Sequence, residues 1–464
     1  MDDVRAASAQ RDLLMATAAR IAAYRERVDG LAVFPTYDAA EIVARLGEMP
    51  DAPMPAADVV AELAAAVEPA LLASAGPRYF GFVIGGSLDA AIAADMLAVG
   101  WDQCAFNAFT SPAAAIVEDV AGTWLKDLLR LPKSATFGFV PGGQGANTVG
   151  LAAARHHVLA VAGWNVEQDG LAGSPPVRVI ASVERHVTID RALRLLGLGV
   201  ACIEPVKADP QGAIDVTDLC TVLAAGARGP TIVCLQAGNV NTGAFDDLRK
   251  AIPLARGHGA WVHIDGAFGL WAAASATYRH LVSGLELADS WGVDGHKWLN
   301  VPYDSGFVFC AHPDAHRASM AHTAAYLTGQ GERGIRGPGD YVPESSRRAR
   351  GFATWAALRE LGRDGVEGLV DRCCQHARMF AERLSAIPGV SIANDVVLNQ
   401  VLVDFGDDAT TDRVIAAVQQ SGECWMGGTT WHGRRLMRIA VSNWRTTTAD
   451  VDRSVAAIAS AHSN

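Results

Sequence analysis

TFGFVPGGQGANTVGLAAAR, residues 136–155, decides the fold. Five apolar, small or β-forming residues run into Gly142-Gly143-Gln144-Gly145, and a helical pattern starts at once. A strand that passes straight into a helix is the first half of a βαβ unit. Downstream the rhythm repeats. Short apolar runs at 178–182, 201–206, 231–236, 261–265, 288–294 and 305–310 alternate with stretches suited to crossover helices, among them 144–162, 188–198 and 246–258. Continuously apolar strands with helical crossovers describe a mostly parallel sheet covered on both faces. The expected fold class is α/β, with a seven-stranded sheet and ligands at the carboxyl ends of its strands.

The flanks have a different texture. Residues 1–78 carry Ala-rich amphipathic patterns near 6–27 and 55–72, whose apolar stripes need a surface to cover them, another subunit included. Residues 79–350 form the expected large domain. Residues 351–464, with a long helical region at 352–384, a further one at 411–421 and short β-like runs, are expected to form a small α+β domain. Between them, 321–350 is rich in Gly and charge and has no apolar period, so it reads as a long loop of the kind that covers active sites.

Composition narrows the function. The 464 residues include 39 Lys+Arg against 50 Asp+Glu, a net charge of −11, which excludes an obviously basic nucleic-acid binder. Half the residues are hydrophobic and 19% are charged, enough apolar material for a sizeable core. The eight Cys include no C-x-x-C, so neither a disulfide framework nor a zinc ribbon is signalled. The acidic N-terminus and the absence of a long apolar run point to a cytoplasmic protein without a membrane partner.

Three motifs carry chemistry. The glycine turn at 142–145 exposes backbone N–H groups at a helix N-terminus, a cradle for phosphate, although it is neither a P-loop nor G-x-G-x-x-G and packing alone also accounts for such a turn. In His263-Ile264-Asp265-Gly266-Ala267, strand alternation puts His263 and Asp265 on one side. A metal pair there lacks a third ligand of suitable spacing, so no metal is expected and His263 reads as a satisfied core residue. Asp265 ends a buried strand, where a carboxylate needs a cation or donors to meet it. In Asp294-Gly295-His296-Lys297-Trp298, a desolvated Lys297 would favour the neutral amine that a Schiff base requires, the bland alternative being a surface Lys covered by Trp298. Phosphate anchor, pyridinium partner and carbonyl-capturing amine, in this order at three strand ends, are the parts of a pyridoxal 5'-phosphate site. His186, after the strand at 178–182, could stack on the ring, with helix capping by Thr188 as the ordinary explanation of that segment.

These residues resemble the group II pyridoxal-phosphate-dependent amino acid decarboxylases, which include the aromatic amino acid, histidine and glutamate enzymes. The resemblance runs through PRYFGFV, the Ser111-Pro112 segment leading to Glu118, GGQGAN, ERHVTIDRALRLLGLG, QAGNVNTGAFDD, HIDGAFG, DSWGVDGHKW, SRRARGFATW and VSNWRTTTADVD. It implies a fold type I architecture and a homodimer with active sites at the interface. It also implies roles: Lys297 forms the Schiff base, His296 helps hold the phosphate, and Asp265 pairs with the ring nitrogen. Ala267 packs on one ring face and His186 on the other, near the substrate carboxylate, and Gly143 and Gln144 form the phosphate turn. Asp294 stands where many relatives have a phosphate-contacting Asn and would repel phosphate unless it faces elsewhere.

By the same resemblance Tyr326 is the proton donor on a mobile loop. Relatives that form aldehydes through oxygen chemistry carry Phe there, so Tyr326 favours plain decarboxylation of an L-amino acid to the amine and carbon dioxide. Asn239 replaces a Thr that many relatives aim at the cofactor, and an amide could still donate to its phenolic oxygen. Gly85 replaces a Thr near the substrate. Phe82 and Phe106 are candidate walls for an aromatic or other apolar side chain, Phe106 reaching across from the other subunit, or else simply core residues. Oxidative deamination, retro-aldol cleavage and transamination share the same Lys, Asp and phosphate loop, and a catalytically silent cofactor-binding protein would share them too. The substrate itself is not written in the sequence.

Overall fold

The computed structural model describes residues 2–226, 229–322 and 335–463. Its main sheet contains β1 (Thr136–Val140), β2 (Arg178–Ser182), β3 (Ile203–Val206), β4 (Thr231–Gln236), β5 (Trp261–Asp265), β6 (Ser290–Asp294) and β7 (Gly306–Cys310). Their order is β1-β7-β6-β5-β4-β2-β3, parallel from β3 through β6, with β7 antiparallel to both of its neighbours. Every residue of β4 to β7 is buried, which explains their unbroken apolar texture. This is the α/β, fold type I arrangement expected from the sequence.

The single reversal has a simple cause. A parallel neighbour requires a crossover of a dozen or more residues, and only residues 295–305 separate β6 from β7. The chain therefore turns back at the carboxyl edge of the sheet, with His296 and Lys297 in the turn. Helix Gly143–Val161 packs against β4 to β7, and small residues on its inner face, such as Ala146 and Gly150, let it approach closely.

The second sheet is antiparallel, in the order β10 (Gly427–Trp431), β11 (Arg434–Ala440), β9 (Gln400–Asp404) and β8 (Ser391–Ile392). Helix Asp408–Ser421 packs on β10 and β11, and helix Thr448–Ser463 packs on that helix and on Gly351–Ser385. The region expected as one helix is Gly351–Ser385, interrupted at Gly362, whose φ of 62° lies where glycine is favoured. Helices Ala39–Leu46, Asp89–Trp101 and Pro112–Leu128 were not read from the sequence, the first being only eight residues long and the other two Ala-rich.

Residues 335–350 lie within the long loop expected at 321–350, and several of their charges are buried or half-buried where solvated ones would be usual. Arg336 lies with its guanidinium 4.0 Å from the Phe137 ring centroid and 4.3 Å from that of Tyr341, and donates to the Phe137 carbonyl. Arg347 donates to the carbonyls of Ala105 (2.7 Å) and Phe139 (2.6 Å) and pairs with Glu118 at 2.7 Å. Glu118 is held there by helix Pro112–Leu128, which starts with a Ser111 N-cap and Pro at its first turn. Charged texture misled the sequence reading because these charges are neutralised internally.

Both side chains of the Glu118–Arg347 pair are fully buried, so removing Arg347 leaves the Glu118 carboxylate with only the more distant Arg336 guanidinium at 3.8 Å. Arg347→Met should destabilise the fold by about 3–5 kcal/mol. The double variant Glu118→Gln/Arg347→Met should recover part of that loss, read as thermal or urea unfolding midpoints. A double variant less stable than Arg347→Met would contradict this account.

Candidate active site

Because β1, β2, β4, β5 and β6 run in one direction, the residues that follow them meet on one edge of the sheet. Gly142 and Gly143 follow β1, His186 follows β2, Asn239 follows β4, Asp265 ends β5, and Asp294, His296 and Lys297 lie at the end of β6. Glycine is required in the turn for space. A Cβ on Gly142 would come within 2.8 Å of His296 Cε1, and one on Gly143 within 2.9 Å of Asp294 Oδ2.

Lys297 Nζ lies 2.8 Å from Asp294 Oδ2 and keeps a fifth of its side chain exposed, so it is neither the surface Lys of the bland reading nor sealed in the core. Asp294 is buried and its Oδ1 accepts the Gly143 backbone N–H. It points into the glycine turn, drawn by an unpaired N–H at a helix N-terminus and by the Lys297 ammonium. His296 Nδ1 accepts the Ser305 N–H at 3.2 Å, which leaves the ring proton on Nε2, 3.5 Å from Asp294 Oδ1. Its ring stacks on Tyr303 with centroids 4.3 Å apart, and burial lowers its pKa. Gly85 is pressed against this element: a Cβ there would fall 1.8 Å from the Lys297 carbonyl oxygen. Close packing, not a pocket wall, accounts for the lost Thr side chain.

Asp265, 6% exposed, accepts from Asn147 Nδ2 (2.9 Å), the Ala267 N–H (3.2 Å) and Thr188 Oγ1 (3.4 Å). Ala267 thus holds Asp265 through its backbone. His263 is the satisfied core residue expected, bonded to Ser290 Oγ (2.8 Å) and Asn147 Oδ1 (3.0 Å), and the described residues contain no cluster suited to a metal ion. Asn147 was missed because, within a glycine- and alanine-rich helix, it carries no spacing signal. The helix after β2 is capped by His186, whose Nδ1 meets Thr188 Oγ1 at 2.9 Å and the Thr188 N–H at 3.4 Å, and not by Thr188 as the sequence suggested. Burial lowers the His186 pKa; among its charged neighbours Lys297 and Arg438 act in the same direction, and Asp265 and Asp294 oppose them. Arg438, on β11, is a mostly buried cation that the sequence reading did not single out.

Other expected site residues are placed differently. Asn239 Oδ1 accepts the N–H groups of Asn241 (2.9 Å) and Thr242 (3.3 Å), and its Nδ2 donates to the Glu184 carbonyl (3.3 Å). It holds a turn, which corrects the expectation of an amide aimed at the cofactor: short Asn side chains satisfy their own loop first. Gln144 donates to the Thr188 carbonyl and Thr148 Oγ1, both at 3.2 Å, and so ties the turn to the helix behind His186. Phe82 is largely exposed and stacks on Trp425, as does Tyr79. Phe106 is buried in its own chain against Gly339 and the His322 ring. Tyr326 lies outside the described residues.

The arrangement fits pyridoxal 5'-phosphate. The glycine turn is a cradle that any Cβ would fill, the buried Ser305 hydroxyl beside it has no partner among the described residues, and an amine and a carboxylate stand at adjacent strand ends. A model of the pyridoxal-dependent decarboxylase conserved domain matches residues 43–405. A tryptophan decarboxylase of Camptotheca acuminata is 24% identical over 440 residues, 91% of this chain and 87% of that protein. An L-2,4-diaminobutyrate decarboxylase of Rhizobium meliloti is 28% identical over 381 residues, 79% of this chain and 74% of that protein. The crystal structure of Oryza sativa TDC with PLP and tryptamine superposes with a TM-score of 0.91 at 23% identity, covering 98% of both chains.

Buried titratable groups make the fold sensitive to acid. Burial pushes His263 down to about 4 and His316 down to about 3, so both are neutral in the folded chain. Below an ordinary imidazole pKa the unfolded chain takes up protons that the folded chain refuses, and stability falls by about 1.4 kcal/mol per pH unit for each group. Asp246, which burial raises to about 7, works the other way, since only the folded chain keeps its proton as the pH rises above the unfolded value. Two groups against one leave a net loss on acidification from about pH 6.5 towards 4. His316→Gln should flatten the slope by about 1.4 kcal/mol per unit, measured as unfolding midpoints across that range. An unaltered slope would contradict the assignment.

Proposed function

The chain belongs to the pyridoxal-dependent decarboxylase family and is a pyridoxal-phosphate-dependent amino acid decarboxylase, and from that premise we propose that its substrate is an aromatic L-amino acid. The observation that carries the site assignment is the meeting of the Lys297 amine, the Asp265 carboxylate and the Gly142-Gly143 turn on one sheet edge. The aromatic surface of Tyr79, Trp425 and Phe82 supports the substrate class, as does the naming of relatives as tryptophan decarboxylases.

When bound, the cofactor supplies an electron sink for the pair left behind as carbon dioxide departs. Lys297 would be the amine that captures its carbonyl, and Asp294, 2.8 Å from Nζ, would orient that amine. The N-terminus of helix Gly143–Val161, with Gly143, Gln144 and His296, holds the phosphate. Asp265 would face the ring nitrogen and favour its protonated form, Ala267 and His186 would flank the ring, and Arg438 would add positive potential at His186, where the substrate carboxylate would lie. Tyr326 would be the proton donor to the substrate carbon. The domain reading consists of helices at 1–78, a cofactor domain at 79–350 and a small domain at 351–464.

The working unit we propose is a homodimer in the cytoplasm. Exposed Leu14, Met15, Val43, Leu46, Val59 and Leu63 on the first helices, and Met96, Leu97, Val99 and Trp101 on helix Asp89–Trp101, form more apolar surface than a monomer keeps uncovered. Phe106 would serve the partner's pocket from its packed position. The free cysteines suit a reducing compartment, and among the described residues no helix is long and apolar enough to cross a membrane.

A screen of the common L-amino acids for carbon dioxide release should select an aromatic substrate. Release restricted to an acidic or basic amino acid would refute the substrate proposal. Tyr326→Phe should lower amine formation by about tenfold or more and divert product towards aldehyde with oxygen uptake. Unchanged amine yield without oxygen uptake would remove Tyr326 from its role.

A further inference from the structure

Behind Asp265 runs a chain of buried hydrogen bonds whose direction can be worked out from its ends. The Trp261 indole, which can only donate, gives its Nε1–H to Ser290 Oγ at 2.9 Å. The Asp265 carboxylate, when ionised, can only accept. Asn147 must therefore turn its nitrogen to Asp265 (2.9 Å), which leaves Oδ1 facing His263 Nε2 (3.0 Å). His263 must then carry its proton on Nε2 and accept at Nδ1 from the Ser290 hydroxyl (2.8 Å), whose oxygen takes the indole N–H. Every donor meets an acceptor, and the reverse orientation would point the Asn147 oxygen at a carboxylate. The second Asn147 N–H reaches Thr188 Oγ1 (3.0 Å), whose one proton has His186 Nδ1 at 2.9 Å and Asp265 Oδ2 at the longer 3.4 Å as acceptors, and the Thr188 backbone N–H also donates to His186 Nδ1 (3.4 Å). That places the His186 proton on Nε2.

Space for this chain is made by glycine. A Cβ on Gly150 would lie 2.6 Å from His263 Cε1, and one on Gly292 would lie 2.7 Å from Asn147 Oδ1. Asn147, His263 and Ser290 are each at most 1% exposed, so water does not substitute for any link.

We propose that Asn147, oriented by Trp261, Ser290 and His263, is a positioning residue that aims Asp265 at the ring nitrogen of the cofactor and, through Thr188, fixes the proton of His186 on Nε2. This rests on the reading that Asp265 faces that nitrogen. Asn147 touches neither substrate nor cofactor in this role; it acts through two residues that do.

The test uses apo forms of the full-length protein titrated with pyridoxal 5'-phosphate, following affinity and the visible absorption of the bound coenzyme. Asn147→Leu should weaken affinity by about tenfold or more and shift absorption from the visible band to shorter wavelength. His263→Gln, which restores an N–H where Nε2 stands, should remain within about threefold of the parent, whereas His263→Leu should behave like Asn147→Leu. Should Asn147→Leu fail to fold, the contrast between the two His263 variants decides. Parental affinity and spectrum in Asn147→Leu, or equal losses in His263→Gln and His263→Leu, would overturn the proposal. Asp265→Ala separates the premise: if it leaves affinity and spectrum unchanged, the reading of Asp265 fails, whereas sensitivity there without sensitivity at Asn147 refutes the relay alone. In the nitrogen spectrum of 15N-histidine-labelled protein both His263 and His186 should appear as Nε2–H tautomers, and an Nδ1–H His263 would also overturn it.

Discussion

Between the end of β6 and the start of β7 the chain has only residues 295–305 in which to reverse, so the reversal happens at the carboxyl edge of the sheet and brings Lys297 with it. Its main chain is clamped from the other side by Gly85, where no side chain fits. The segment that supplies Gly85 is itself tied to the second sheet, since the Phe80 N–H donates to the Trp425 carbonyl (2.8 Å) and its carbonyl accepts from Ala440 (2.9 Å). A short connector thus fixes the amine, and the packing of that connector joins the cofactor-binding sheet to the smaller one.

Charge is arranged around this turn in tight compensation. Asp294 gives Lys297 its counterion and at the same time takes the N–H of the glycine turn. A carboxylate at the helix N-terminus that is to hold phosphate looks self-defeating on charge alone. The ammonium at 2.8 Å balances it, and the His296 Nε2–H lies beside the same carboxylate. The aspartate therefore sets the orientation of a lysine and a histidine, and the helix terminus remains the feature that favours an anion.

Much of the sheet was legible in the sequence because its strands are buried on both faces and separated by glycine or helical punctuation; the apolar runs at 136–140, 178–182, 231–236 and 261–265 coincide with β1, β2, β4 and β5. Lys297, Asp265 and the glycine turn were legible for a different reason: each sits just past a strand, where chemistry-bearing residues stand out against apolar surroundings. What escaped was tertiary. Asn147 looks like one polar residue in a small-residue helix until His263 and Asp265 are seen to flank it. Arg336 and Arg347 read as loop charge because Phe137, Phe139 and Glu118, which satisfy them, lie about two hundred residues away in the chain. Asn239 has the residue type for a ligand contact, yet its loop uses both ends of its amide first.

The same distinction explains why the cofactor reads more clearly than the substrate. The residues proposed to hold the coenzyme, Gly143, His186, Asp265 and Lys297, stand along one sheet edge, where strand register fixes their order. The surfaces left for a side chain are of another kind. Phe82 stands exposed on Trp425, and Phe106 is packed against the His322 ring. Broad aromatic surfaces on loops discriminate by shape over weak contacts worth about 1 kcal/mol each, so small shifts in loop position change preference without disturbing the chemistry.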